Sequence, residues 1–330
     1  MNQKVVVIGS NAFSAAHYVD FLLKKGCDVI GMSRSDAPHG VFLPHTWSPN
    51  KGKYQFHAYD LNNHLNEIMD CIHTEQPDYV VNYAAQSMVA QSWQHPEHWF
   101  QTNVVSTIKF HDKLRHAKFI KKYVHVTTPE VYGSTQGFIK EGTPFHPSTP
   151  YAVSRAAADM SLRTFFEAYD FPVVFTRAAN VYGPGQQLYR IIPRAMLYFM
   201  LGKPLELHGG GTSQRSFIHI NDVSQATWSV MLDGVPGQTY HISTNEIVTV
   251  RGLIEKICEL MKIDFSQSVK IVGERLGKDA AYLLDSEKIR KELNWVDGIS
   301  LSEGLTDCLN WVTQNLEILQ NQPYDYMHKA

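Results

Sequence analysis

The feature that most narrows the possible folds is a repeated alternation of short apolar runs with amphipathic stretches, from Val5 to Thr127. Val5-Val6-Val7-Ile8 is an apolar run of strand length, and Ala15, Val19, Leu22 and Leu23 then recur at helical spacing. Gly26 is placed to end that helix, and Asp28-Val29-Ile30-Gly31-Met32 reads as the second strand. A third strand is predicted at 54–59. Leu65, Ile68, Met69 and Ile72 then mark a helix that stops near Pro77. Residues 79–83 read as the fourth strand, 100–114 as a long helix and 123–127 as the fifth strand. Runs that are apolar throughout suit strands covered on both faces. The pattern therefore predicts an α/β fold with a doubly wound parallel sheet, whose ligands sit at the carboxyl ends of the strands.

Beyond residue 180 the alternation loosens. Tyr182-Gly183-Pro184-Gly185 and Gly209-Gly210-Gly211 punctuate helices predicted near 193–201, 250–261 and 302–313. We expect residues 1–180 to form the main domain. Residues 181–330 should form a smaller mixed α/β lobe that returns some segments to the sheet.

Thirty basic residues against thirty-two acidic ones leave almost no net charge, which argues against a general grip on nucleic acid or anionic membranes. Cys27, Cys71, Cys258 and Cys308 form no CxxC pair and read as reduced apolar fillers. The four apolar residues after Lys4 are too few for a signal-peptide core, and no uncharged apolar run is long enough to cross a bilayer. A cytoplasmic location is expected. Of the sixteen histidines, His95 and His98 are three apart, but no HExxH or tight His/Cys spacing accompanies them. No metal site is expected.

The turn Gly9-Ser10-Asn11-Ala12-Phe13-Ser14-Ala15 leads from the first strand into a helix. There, backbone amides and the helix dipole favour a phosphate. Gly9, Asn11, Ala12, Phe13 and Ser14 are the candidate dinucleotide contacts, although Ala12 and Ala15 stand where dinucleotide turns usually have glycine. At the end of the second strand, where many NAD enzymes carry an acidic residue for the ribose, the chain reads Ser33-Arg34-Ser35. Arginine and serine can hydrogen-bond a 2′-phosphate, so both NAD and NADP stay open.

Two segments carry the chemistry: Thr127-Thr128-Pro129-Glu130-Val131-Tyr132-Gly133 and Pro150-Tyr151-Ala152-Val153-Ser154-Arg155-Ala156-Ala157-Ala158-Asp159. Oxidising an alcohol to a ketone needs a base for the proton while hydride leaves. A tyrosine serves only if a nearby cation favours its anion. Four-residue spacing puts Tyr151 and Arg155 on one helix face. These segments, with Asn82-Tyr83-Ala84-Ala85-Gln86-Ser87, Thr102-Asn103-Val104 and Arg177-Ala178-Ala179-Asn180-Val181-Tyr182-Gly183-Pro184-Gly185, resemble the extended short-chain dehydrogenase/reductases, nearest to nucleotide-sugar dehydratases of the dTDP-glucose 4,6-dehydratase type. The resemblance runs from Val5 to about Trp311.

That resemblance implies a tightly bound NAD or NADP and a nucleotide-diphosphate sugar as substrate. It adds Asp60, Leu61, Tyr83, Ala84, Ala85, Thr102 and Thr127 to the cofactor contacts, together with Tyr151 and Arg155. It makes Tyr151 the base, Arg155 its partner in place of the family's lysine, Thr128 a hydrogen-bond donor to the C4 oxygen and Glu130 the base at C5. Gln86, Ser87, Asn180, Arg190, Arg215 and Arg275 are the implied substrate contacts. The family's acid, an aspartate, is here Pro129. Three readings follow: Glu130 carries both proton transfers, or the chemistry stops at epimerisation or decarboxylation, or the chain binds without turnover. A homodimer is implied through the helix after the fourth strand and the one carrying Tyr151; apolar Phe100, Val104, Leu162 and Phe165 fit such a contact and fit packing within one chain equally.

Overall fold

The computed structural model describes residues 3–50, 52–273 and 281–329. Seven strands form one parallel sheet: β1 (Lys4–Ile8), β2 (Asp28–Met32), β3 (Tyr54–His57), β4 (Tyr79–Asn82), β5 (Lys122–Val126), β6 (Val173–Ala178) and β7 (Thr239–Ile242). Their spatial order is β7-β6-β5-β4-β1-β2-β3. Val5 to Ile8 pair in register with residues 29–32 on one side and 79–82 on the other. The chain reverses its winding direction between β1 and β4. That reversal opens a crevice at the carboxyl ends of these two strands.

Alternate residues of β1 explain why it is apolar throughout. Val5 and Val7 point into one core, with α1 (Phe13–Lys24) and residues such as Val223 and Val230. Val6 and Ile8 point into another, with Ile68, Phe110 and Leu162. All four are buried, each burial worth roughly 1.5–3 kcal/mol by area. Helix α2 (Leu65–Glu75), α3 (Thr107–Leu114) and α4 (Pro150–Tyr169) cover that second face, and α5 (Ile220–Asp233) packs with α1 on the first. Strand β7 and α5, both beyond residue 180, thus belong to the main sheet. A third core holds Leu188, Ile192, Leu253, Ile257, Leu305 and Trp311, under the helices Ile191–Met200, Val250–Met261 and Leu301–Gln314.

The helix expected at 100–114 is not uniform. A short helix, Pro96–Phe100, runs into a π-helical turn, Gln101–Ser106, before α3 begins. Thr102, Asn103, Ser106 and Thr107 are all buried on the inward face of this wider turn and the start of α3. Of the two readings open for Leu162 and Phe165, packing within the chain holds: Leu162 is fully buried, and Phe165 packs on the core beneath the sheet.

Candidate active site

The turn after β1 is shaped by backbone. Gly9 has φ +81°, and a Cβ there would lie 2.7 Å from the Ala84 amide nitrogen. Only glycine fits that approach between β1 and β4. Ala12 ends the turn as N-cap of α1 and makes no side-chain cap, leaving the first helical amides toward the crevice. Ala12 lines the crevice, whereas the Ala15 methyl is fully buried in the core. Asn11 donates to the carbonyls of Ser35 (2.9 Å) and Asp36 (3.2 Å), tying the turn to the loop after β2.

Gly9, Asn11, Ala12, Ser33, Arg34, Asp60, Leu61, Tyr83, Ala84, Ala85 and Thr102 line a pocket of about 590 Å³. The loop after β4 is held from both sides. Asn82 accepts from the Ala84 amide at 2.9 Å. Asn103 accepts from the Gln86 amide at 2.8 Å and donates to Ser154 Oγ at 2.9 Å. One side chain from the π turn therefore joins this pocket to α4. The Asp60 carboxylate accepts from the Asn62 amide and the Asn63 side chain, fixing its own turn.

A second cleft, about 930 Å³, continues from the first. Phe13, Ser14, Tyr83, Ala85, Ser87, Thr127, Thr128, Pro129, Glu130, Tyr151, Arg155, Asn180 and Arg190 line it. Thr127 follows β5, and Thr128 caps a short 3₁₀ turn, Pro129–Tyr132, by accepting from the Glu130 amide at 3.2 Å. Proline suits the first position of such a turn because no amide proton is needed there. Pro129 is buried and lines the cleft beside Glu130.

Helix α4 starts at the Thr149 cap, so Tyr151 and Arg155 face the cleft one turn apart. Burial raises the Tyr151 pKa; the Arg155 charge pulls it back, Glu130 raises it again, and a Thr128 hydrogen bond and Arg190 lower it. The net shift is upward. Arg155 donates Nη2 to the Val126 carbonyl, and its buried Nε has no hydrogen-bond partner. Below them Asp159 accepts from Thr127 Oγ1 (3.0 Å) and from Arg177 Nη2 (2.7 Å), all but Thr127 being fully buried.

The chain matches the GDP-mannose 4,6 dehydratase family over residues 6–308. It belongs to this family. It is 31% identical over 328 residues to the dTDP-D-glucose 4,6-dehydratase of Homo sapiens, covering 97% of this chain and 92% of that protein. It is 30% identical over 325 residues to a trifunctional UDP-glucose 4,6-dehydratase/UDP-4-keto-6-deoxy-D-glucose 3,5-epimerase/UDP-4-keto-L-rhamnose-reductase of Arabidopsis thaliana. That match covers 96% of this chain and 48% of the plant protein, so the chain spans about half of that relative. Among solved structures, the dTDP-glucose 4,6-dehydratase DesIV of Streptomyces venezuelae, with NAD and TYD bound, matches with a TM-score of 0.88 and 29% identity. The match covers 96% of this chain and 98% of that one.

Within this family member, the remaining predicted contacts fall as follows. Asn180 accepts from the Tyr282 hydroxyl at 3.1 Å, and Arg215 lies over the Tyr282 ring at 4.4 Å, one layer behind the cleft wall. Gln86 is buried and lines the dinucleotide pocket rather than the larger cleft; its amide donates to the Lys329 carbonyl at 2.7 Å. Arg275 lies outside the described residues. Sequence reading missed Arg194 and Lys270, which also line the cleft. It missed the C-terminal tail too. Tyr326, Met327 and Lys329 border the dinucleotide pocket, and Arg34 donates to the Lys329 carbonyl at 3.1 Å.

Proposed function

We propose that this protein is a nucleotide-sugar 4,6-dehydratase that works with a bound nicotinamide dinucleotide. The observation that carries the reading is the convergence of Thr128, Glu130, Tyr151 and Arg155 on one cleft continuous with the dinucleotide pocket. The Gly9 cradle, the uncapped start of α1 and the partnerless Arg155 Nε all fit a dinucleotide. Gly9, Ala12, Phe13 and Ser14 would hold its diphosphate, and Tyr83, Ala85 and Arg155 its nicotinamide end. When bound, the dinucleotide takes a hydride from the sugar and later gives it back. Arg34 and Ser35 already hold Lys329, and a 2′-phosphate would have to displace that contact, which favours NAD over NADP.

Tyr151 takes the C4 hydroxyl proton, with Thr128 positioned to hydrogen-bond the C4 oxygen. A C4 ketone makes the C5 hydrogen acidic, and the Glu130 carboxylate removes it. Pro129 has no proton to give, so the acid that releases the C6 hydroxyl as water is the newly protonated Glu130. As hydride returns to C6, Glu130 delivers a proton drawn from solvent to C5 and Tyr151 releases its proton to solvent, so the net change is loss of one water with the hydride moved from C4 to C6. Arg190, Arg194, Arg215 and Lys270 supply the charge for a diphosphate, and Asn180 and Ser87 the polar contacts nearer the sugar.

The experiment is the Glu130→Gln variant with dTDP-, UDP- and GDP-glucose. Reduced nicotinamide should accumulate on the enzyme while dehydrated product is lost. A wild-type protein that leaves every one of these sugars unchanged, with no reduction of its cofactor, overturns the reading. Pro129 favours one second reading. An enzyme lacking the dedicated acid that keeps only C4 oxidation is an epimerase, and it would return an isomer of unchanged mass.

The same helices present an apolar surface. Phe100 and Val105 precede α3, Val153 and Met160 stand seven apart on α4, and all four are exposed on neighbouring helices, with Trp93 alongside. We read this face as a homodimer contact. Among the described residues no helix is long and apolar enough to cross a membrane. The four cysteines are free, which suits a reducing compartment such as the cytoplasm.

A further inference from the structure

The histidines set aside in the sequence meet a partner from the far end of the chain. His95 precedes the short helix Pro96–Phe100 and His98 lies within it, with Glu97 between them. Their ligand atoms all lie within 4.8 Å of one another, the one such group of three among the described residues. Glu97 Oε1 is 3.8 Å from His95 Nδ1 and 3.6 Å from His98 Nε2. These separations are too long for hydrogen bonds. They are close to the spacing of two ligands on one tetrahedral ion, roughly 3.4 Å for bonds of about 2.0–2.1 Å.

The other nitrogen of His98 is already used. His98 Nδ1 is 2.8 Å from Nε2 of His328, which comes from 230 residues further along the chain. When His98 donates its Nδ1 proton to His328, its Nε2 lone pair is left facing the Glu97 carboxylate. Two electron-rich atoms then face each other with no proton between them, the arrangement a cation resolves. Orientation of a ligating imidazole through its second nitrogen is the usual support of a metal site. The His328 ring is itself fixed, stacked on buried Trp99 at 5.0 Å between centroids and 13° between planes.

We propose that His95, Glu97 and His98 bind a divalent transition-metal ion of the zinc class, and that His328 orients His98 for it. Side chains of His95 and Glu97 are 51% and 67% exposed, so the ion reaches the site from solvent and water completes its coordination. The next residue couples the site to the dinucleotide pocket. The Lys329 carbonyl accepts from Gln86 and Arg34, and its ammonium donates to Ser35 Oγ at 3.1 Å. An ion that holds His98 and His328 in place favours the docked tail along the edge of that pocket. Dinucleotide binding, by the same linkage, favours the ion.

The test is titration of the chelator-treated full-length chain with Zn²⁺ by calorimetry, and with Co²⁺ by its visible absorption. Wild type should bind one ion more per chain than His98→Ala, and His95→Gln, at an exposed position, should lose the same ion. His328→Ala should keep that ion with a Kd 10- to 100-fold weaker. Equal stoichiometry in wild type, His98→Ala and His95→Gln overturns the site. An unchanged Kd in His328→Ala overturns the orienting role of the tail.

Discussion

The two ends of the active-site cleft are built on different principles. The dinucleotide end is made of backbone: the Gly9 turn, the uncapped amides of α1, and a β4 loop held by Asn82 and Asn103. The reacting end is made of side chains, Thr128, Glu130, Tyr151 and Arg155, with Pro129 among them. A backbone site absorbs changes of side chain. Ala12 and Ala15 stand where dinucleotide turns usually carry glycine, and the start of α1 still has no side-chain cap. A side-chain site has no such tolerance, because each substitution changes what protons can be moved. Departures from a family pattern therefore mean little at the first end and redirect chemistry at the second.

The largest effect that separates the two ends should come from Tyr151→Phe. Turnover should fall by about 10²–10⁴-fold, as for loss of a positioned proton acceptor, with dinucleotide affinity nearly unchanged. Loss of dinucleotide binding in that variant would break the comparison. Gly9→Ala should do the opposite. A methyl 2.7 Å from the Ala84 nitrogen, at φ +81°, must push β1 and β4 apart locally. Dinucleotide Kd should weaken about tenfold, from roughly 1–2 kcal/mol of backbone cost, while turnover of the loaded enzyme holds.

A third variant sharpens the reacting end. Arg155 lowers the pKa of a tyrosine that burial has raised, so Arg155→Met should move the alkaline rise of kcat/KM further up, by about one pH unit. A profile unmoved by the change would show that Arg155 serves only the cofactor.

The scaffold shared by both ends should answer to pH rather than to a single substitution. His17, bonded to the Pro184 carbonyl beside the dinucleotide turn, and His241, bonded to Tyr132 behind Glu130, are both held down to about 3 by burial. Buried His111 and His125 shift the same way. Each stays neutral when folded and takes a proton when unfolded below pH 6.5, so the unfolded chain binds more protons between about pH 3 and 6.5. Stability should fall as pH drops through that window, by about 1.4 kcal/mol per unit for each histidine. Denaturant midpoints from pH 7 to pH 5 measure it.

Much of the sheet was legible because β1, β2 and β4 are covered on both faces, which forces apolar runs that no surface strand needs. The resemblance of their segment singled out Tyr151 and Arg155, and helical spacing accounts for their lining one cleft together. The tail was not. Tyr326, His328 and Lys329 reach Arg34, Gln86 and His98 across more than 200 residues, through single hydrogen bonds that leave no periodic trace. The π turn was equally hidden, since Thr102, Asn103, Ser106 and Thr107 are polar and also share one face of a regular helix, so nothing in their spacing marks the wider turn. Leu162 stayed open in the sequence for a related reason: an apolar residue on a helix reads the same whether it meets the sheet or another subunit.

The measurement that reaches the central claim most directly is mass spectrometry of the sugar product formed in heavy water. The account predicts a product lighter by one water that carries one solvent deuterium, placed by the exchange of the C5 proton through Glu130. A product of unchanged composition, or water lost with no deuterium gained, would contradict it.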